Sequence, residues 1–265
     1  MWQTIKRNIG YASILIPASL RAATQNKAAF LSLSIFMFIQ NIMFFMVWVI
    51  YFSNFSSLWG WELADVATMY GLAAFSFGLA FLLCGGALDL GRSIVDGELD
   101  IYLGRPRHPL MGILFRESRV AGLGDIVTGP LLWIYFGHYT PIELGVLVIL
   151  GVLSGVIILA TALTINSLPF FAGQGNRVTD QLIESFICIS TYPHNGFGMT
   201  VRIILLTVIP AGFVAYLPIE AIRNFDISRM IIIGCAAIFY MTLATMIFNR
   251  GLRNYTSGNK MLEIR

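Results

Sequence analysis

Four long stretches of this sequence carry no charged residue: Lys27 to Glu62, Asp65 to Asp89, Glu143 to Arg177, and Arg229 to Arg250. A helix crosses the hydrocarbon core of a bilayer in roughly 20 residues, and each gap is about that long or longer. Soluble chains hold about 25% charged residues; here only 12% are charged and 57% are hydrophobic. The reading that follows is an all-α, polytopic membrane protein rather than one or two soluble domains.

Residues 1–27 carry Lys6, Arg7, Arg21 and Lys27 around an apolar run, Ile9 to Leu20, interrupted by Pro17. No small-residue cleavage site follows, so a signal peptide is not expected. An amphipathic helix on the membrane surface fits better, its basic residues toward anionic headgroups. The first span is then Ala28 to Phe52, rich in Phe and Met and read as mainly lipid-facing. Its amides, Gln40 and Asn41, are expected to face other helices, because an amide in hydrocarbon needs a partner. Trp48, Tyr51, Trp59 and Trp61 mark an interface, where aromatic rings prefer to sit. The second span runs from Val66 to Leu88, with Gly71, Gly78, Gly85 and Gly86 allowing close helix contact.

The polar segment Asp89 to Pro109 follows, the longest between two apolar spans. A third span, Val120 to Tyr139, holds Pro130 and has Asp125 near its start. Pro141 and Glu143 form a tight turn into a fourth span, Leu144 to Leu168, which contains the GxxxG pair Gly151 and Gly155, a helix-packing pattern. Beyond a break at 169–175, Arg177, Asp180, Gln181 and Glu184 fall at i, i+3, i+4 and i+7, on one helical face. The opposite face carries Leu182, Ile183, Phe186 and Ile187. From Pro193 to Ile222 the chain is apolar but repeatedly broken by Pro and Gly. The fifth crossing is either Asn176 to Tyr192, or Thr200 to Leu217; in the first case the later segment is a re-entrant pair of half-helices, tolerated at membrane depth when buried in protein. The last span is Met230 to Asn249.

Basic residues favour the cytoplasmic side. With the N-terminus inside and six crossings, of the 17 basic residues only Arg202, Arg223 and Arg229 fall outside. The expected orientation is N-in, C-in.

Several chemistries lack their residues. No GxxxxGK[ST] stretch can cradle a phosphate, and Gly173 to Gly175 is too short to do so. No HExxH or GxSxG is present. His108, His138 and His194 lie in different loops, and Ser154 has no His within its own span. Cys84, Cys188 and Cys235 lie in apolar sequence without ligand spacing and are read as small buried hydrophobes. No enzyme activity, metal or nucleic-acid partner is expected. Asp125, Asp180 and Glu184 sit at membrane depth, where ionisable groups are functional candidates. An ion-coupled secondary carrier or channel would use these three. Alternatively, Arg177 pairs with Asp180 or Glu184 along its own helix.

The order of features resembles the permease subunits of ABC-2-type ATP-binding-cassette exporters, in the branch with six spans and no fused ATPase. Residues Gly97-Glu-Leu-Asp-Ile-Tyr-Leu-Gly-Arg-Pro106 look like that branch's cytoplasmic loop. Tyr192-Pro193, Val208-Ile-Pro210 and Pro218-Ile-Glu220-Ala-Ile-Arg223 look like the family's outer segment. Phe170-Phe171 is similar to the aromatic pair that opens the fifth span.

The resemblance implies six spans, two facing permease subunits (copies or relatives), and separate ATPase subunits that bind ATP and Mg. It favours Asn176–Tyr192 as the fifth span and Asn195–Ala221 as a re-entrant outer hairpin. The implied setting is a bacterial inner (plasma) membrane, and the implied direction is export. The loop 89–109 becomes a coupling element. Asp96-Gly97 signals a turn, Glu98, Leu99, Asp100, Tyr102 and Leu103 can form a short helix with an apolar side, and Arg105-Pro106 stops it. Gly97, Glu98, Leu99, Asp100, Leu103, Arg105 and Pro106 are the expected ATPase contacts. Tyr192, Pro193, Pro210, Pro218 and Glu220 are the expected hairpin residues.

Overall fold

A computed structural model describes residues 2–105, 107–172, 176–193, 196 and 198–255. Pro106, His194, Asn195 and the tail basic residues Lys260 and Arg265 lie outside them. Among the described residues the chain is helical, with an isolated bridge between Leu58 and Trp61 and no named strand.

A first helix, α1 (Trp2–Thr24), precedes α2 (Lys27–Asn54). Asn26 separates them, its side chain accepting from the Ala29 amide at 3.1 Å. Such a side-chain oxygen satisfies one of the donors orphaned at a helix start. Then come α3 (Leu63–Cys84), a 3-10 turn (Gly85–Ala87) and three short helices, α4 (Leu90–Val95), α5 (Asp100–Leu103) and α6 (Pro109–Leu114). Next are α7 (Gly122–Phe136) and α8 (Pro141–Asn166), which α9 (Pro169–Ala172) extends. Pro141 and Glu143 start α8 as the sequence suggests. The Glu143 carboxylate accepts from the Thr140 amide at 2.7 Å, and Thr140 Oγ1 accepts in return from the Glu143 amide at 3.4 Å.

The remaining helices are α10 (Asn176–Ser190), α11 (Met199–Thr207), α12 (Tyr216–Arg223) and α13 (Ile227–Asn254). A 3-10 turn, Pro210–Phe213, joins α11 to α12. Among the described residues, four helical stretches are long and apolar enough to cross a membrane: α2, α3 with its extension to Val95, α8 with α9, and α13. The bent pair α11 and α12 adds a fifth if it counts as one span. The helix α7 is apolar but has only 15 residues, short of the sequence estimate, because the chain turns at Gly137.

The central helix is α3. Its apolar window is 78% buried, against 11% for that of α2. Small residues explain the position. A Cβ on Gly122 would stand 2.6 Å from the Gly78 carbonyl oxygen, and one on Gly129 would stand 2.6 Å from that of Gly71. The backbones of α3 and α7 therefore touch over two turns, which only glycine permits. The Gly151/Gly155 pair of α8 packs on α3 as well, against the Phe75 ring and the Ser76 carbonyl.

The bundle has two ends. At the loop end lie α4–α6 and the last turns of α3, α8 and α13, sharing a core of Leu90, Ile94, Leu99, Ile113, Leu163 and Phe248. At the far end lie Trp48, Trp61 and Tyr139. Phe170, expected to open the fifth span, instead closes the fourth: it packs at the loop end against Phe248, ring centroids 5.7 Å apart. Alongside the bundle, α10 runs from one end to the other. Near its start, Thr179 and Asp180 line a small polar pocket with Asp89 and Arg92. Midway, Phe186 meets Phe77 at 6.0 Å, and beyond its end Tyr192 meets Trp48 at 5.6 Å.

The bent pair behaves differently. Its start has Gly196 against the Trp59 indole, and its end has Arg223 paired with Asp65 at 3.3 Å, so both lie at the far end. The two halves meet at 75°. Proline 210 has no N–H to continue α11. The freed carbonyls of Leu206 and Thr207 accept from the Tyr240 hydroxyl at 3.1 and 2.9 Å.

Candidate functional site

The loop end is built around one salt-bridged hinge. Gly97 has φ +76°, a left-handed conformation that suits glycine. This turns the chain after α4 and brings Glu98 back onto Ser93. Arg116 then closes the fold, donating to Glu98 Oε2 at 2.8 Å and to Ser93 Oγ at 2.9 Å. Behind it, Arg119 pairs with both Asp89 and Glu117. Below, a Cβ on Gly86 would collide with the Ile113 carbonyl oxygen. The loop is thus fastened to the end of α3 from both sides.

Hydrogen bonds from Arg116 first, and from Ser93 second, hold the Glu98 carboxyl below the usual carboxylate range. The folded pKa lies below the unfolded one, so ionised Glu98 stabilises the loop above about pH 4.3, the ordinary glutamate value. That contribution is lost as pH falls through the lowered value. Acidification through this range is expected to loosen 89–119, seen as faster amide exchange there, and Glu98→Gln should flatten the response.

The expected ATPase contacts divide. Leu99 is fully buried in the loop-end core, whereas Leu103 is 45% exposed. Their i, i+4 spacing would put both on one face of a longer helix; α5 has only four residues, and Leu99 turns inward at its start. The apolar surface is made by Ile101, 63% exposed, with Leu103 and Val95. Sequence reasoning passed over Ile101 because it lies two residues from Leu99, on the opposite side. Gly97 forms the turn, and the exposed Glu98 is held by Arg116. Arg105 is exposed, its guanidinium over the Tyr102 ring at 5.1 Å. Asp100 is half-buried beside Tyr255, whose phenol is pushed up to about 12 by burial first and by that carboxylate second. Pro106 is outside the described residues. Helix α1 joins this assembly through Ser19 and Ser118, whose hydroxyls are 2.8 Å apart, and through Tyr11, which stacks under Arg107 at 5.6 Å.

The polar residues expected at membrane depth also divide. Asp125 accepts from Asn41 Nδ2 at 2.6 Å, and the Tyr70 hydroxyl donates to Asn41 Oδ1 at 3.2 Å. This network ties α7 to α2 and α3. Asn41 thus faces neighbouring helices as expected, but Gln40 is exposed. Replacing Asn41 with Leu would leave the Asp125 carboxyl without its donor. An unsatisfied buried polar group costs about 1–3 kcal/mol, more if charged, and a lowered thermal midpoint in detergent is the expected reading.

Arg177, Asp180, Gln181 and Glu184 are exposed along one face of α10. Among the described ion pairs, none joins Arg177 to Asp180 or Glu184, so the expected pairing along the helix is not formed. Asp125 is bonded into α2 and α3, while α10 packs on α4, α8 and the 210–213 turn. The three carboxylates are not brought together. Cys188 and Cys235 are exposed rather than buried; only Cys84 is in the core.

At the far end, Tyr216 stacks on Trp61 with ring centroids 5.8 Å apart and planes at 6°. Glu220 pairs with Arg229 at 3.0 Å, fixing α12 to the start of α13. Pro193, Pro210 and Pro218 are buried, and Tyr192 is exposed beside Trp48.

A helical membrane protein with a polar, stapled loop at one end and a bent helical pair inserted from the other describes the permease component of a transporter. Residues 38–259 match the model of the ABC-2 family transporter proteins, and the chain belongs to that family. No curated protein and no solved structure matches it.

Proposed function

We propose that the chain forms half of the path of an ATP-driven exporter and takes its power from a separate ATPase that grips residues 89–109. The observation that carries this is the paired character of the loop. Its inner side is rooted by Leu99, Arg116 and Arg119 into the ends of α3, α8 and α13, while Val95, Ile101 and Leu103 stand exposed. A force applied to such a lever moves the whole bundle rather than bending a loop. Exposed apolar side chains rimmed by Asp96, Glu98 and Arg105 suit a groove on a partner.

In this reading α2, α3, α7, α8, α10 and α13 are six crossings, N-in and C-in by their basic residues. The segment 195–221 serves as a re-entrant outer hairpin, a reading supported by Gly196 lying against Trp59 and by Arg223, just beyond the segment, pairing with Asp65 at the far end. Residues 1–27 lie on the inner lipid surface and touch the coupling loop. The polar face of α10, which has no cover in one subunit, lines the path or meets a second permease subunit, a copy or a relative. ATP and Mg belong to the ATPase. The setting is a bacterial inner membrane, and export follows the resemblance.

Affinity purification of the tagged chain is expected to bring down an ATPase carrying a phosphate-binding loop. In liposomes, the permease alone should be inert and the complex should transport only with ATP. Transport by the lone chain on an ion gradient would replace this reading with the carrier one.

A further inference from the structure

The tip of the bent pair α11–α12, at residues 207–210, lies among α8, α10 and α13. Between this tip and the loop end lies a cavity of about 350 Å³. Its walls are Thr161 and Thr164 of α8, Leu182 and Phe186 of α10, and Leu243 of α13, with Ile209 at the tip above. Four of the hydroxyls here are already engaged: Thr161 donates to Ile157 O at 2.8 Å, Thr164 to Ala160 O at 2.9 Å, Thr207 to Ile203 O at 2.7 Å, and Tyr240 to the tip carbonyls, and Ser185 is the other hydroxyl in the lining. A resident water needs two to four polar partners, and the walls offer few. The space is therefore apolar.

It is also open. Leu182 and Leu243 wall the cavity and yet are 41% and 39% exposed, so the mouth lies between α10 and α13. Both helices run at membrane depth there, and the medium outside is lipid hydrocarbon. The cavity face of α10 lies roughly 140° around the helix from Arg177, Asp180, Gln181 and Glu184, at 3.6 residues per turn. The mouth is thus turned away from the face assigned above to the path or the second subunit, and this choice of occupant rests on that assignment.

We infer that one acyl chain of a membrane phospholipid, from the leaflet at the loop end, occupies this cavity and props the tip of the bent pair. An unfilled apolar space forfeits the contacts of every side chain that lines it. A neighbouring acyl chain restores them without desolvating anything. The tip is where helical hydrogen bonding is broken, so the chain supports the least self-sufficient backbone in the bundle.

The test uses the full chain, with its ATPase where it co-purifies, in nanodiscs containing a phosphatidylcholine with a diazirine near the end of one acyl chain. After photolysis, adducts are expected on Thr164, Leu182, Ile209 or Leu243, besides those on the lipid-exposed Phe239 and Met246. Thr164→Trp fills the cavity and should lose the first set while keeping the second. If that variant does not fold, Leu243→Phe narrows the mouth and should reduce the same adducts. Equal cavity labelling in a folded Thr164→Trp, or labelling of Phe239 and Met246 with none in the cavity, overturns the inference. So does a disulfide between two copies of Leu243→Cys, which would show that a second subunit covers the mouth. Failure of the lone-chain transport test above would leave these adducts unchanged, which separates the two proposals.

Discussion

Replacing Ile101 and Leu103 together with glutamate is expected to strip the ATPase from the permease while leaving the permease folded. Both side chains are exposed in the lone subunit, 63% and 45%, so neither contributes much to its stability. Fully burying such a side chain is worth roughly 1.5–3 kcal/mol, and the partner can bury only the part still exposed. Losing both therefore gives roughly 1.5–3 kcal/mol, an about ten- to two-hundred-fold weaker complex, before any cost of burying the new charges. Co-purification reads the loss, and an unchanged thermal midpoint shows that the fold survives. Leu99→Ala supplies the contrast. It truncates a fully buried side chain and should cost about 2–5 kcal/mol of stability. An ATPase that stays bound to the folded double variant would remove the loop from the coupling role. Charge reversal at Asp100 is a poorer test, because that carboxylate also faces Tyr255 inside the chain.

The second large effect lies at the crossing of α3 and α7. Gly78→Leu is expected to prevent recovery of a monodisperse protein. Even a Cβ at this position would meet the Gly122 carbonyl and stand 2.7 Å from Asp125 Cβ. Backbone is the obstacle, so no side-chain rotation relieves it. Moving α3 away is no remedy, since its other side carries α8 through Gly151 and Gly155. Added methylenes in a packed core cost about 1–3 kcal/mol; four added carbons against backbone should approach the whole stability of a domain, roughly 5–15 kcal/mol. Gly145→Leu and Gly234→Leu are the controls, since a Cβ at either meets nothing within 4 Å. Size-exclusion profiles in detergent compare the three directly. A well-behaved Gly78→Leu would mean that the two helices are not in backbone contact.

Much of this was legible in the chain, and the reasons are local. A charge-free stretch of sufficient length needs no partner to declare itself a membrane helix. Asp96-Gly97 marks a turn because few other residues accept a positive φ. Thr140, Pro141 and Glu143 start α8 through contacts spanning only three residues. The Gly151/Gly155 pair advertises a close approach, though not to which helix.

What the tertiary structure decided was facing. Leu99 and Ile101 are both apolar, two residues apart, and one is core while the other is surface. Asp125 found its donor 84 positions earlier, in Asn41, a pairing that no local pattern announces. Arg177 stands apart from the carboxylates on its own helix that spacing offered it. By itself the sequence determined that the chain is helical, belongs in a membrane and turns at Asp96-Gly97. Only the packed bundle decided which apolar residues meet protein. Lipid tails are as apolar as leucine, so hydropathy cannot distinguish a side chain that faces a neighbouring helix from one that faces the bilayer.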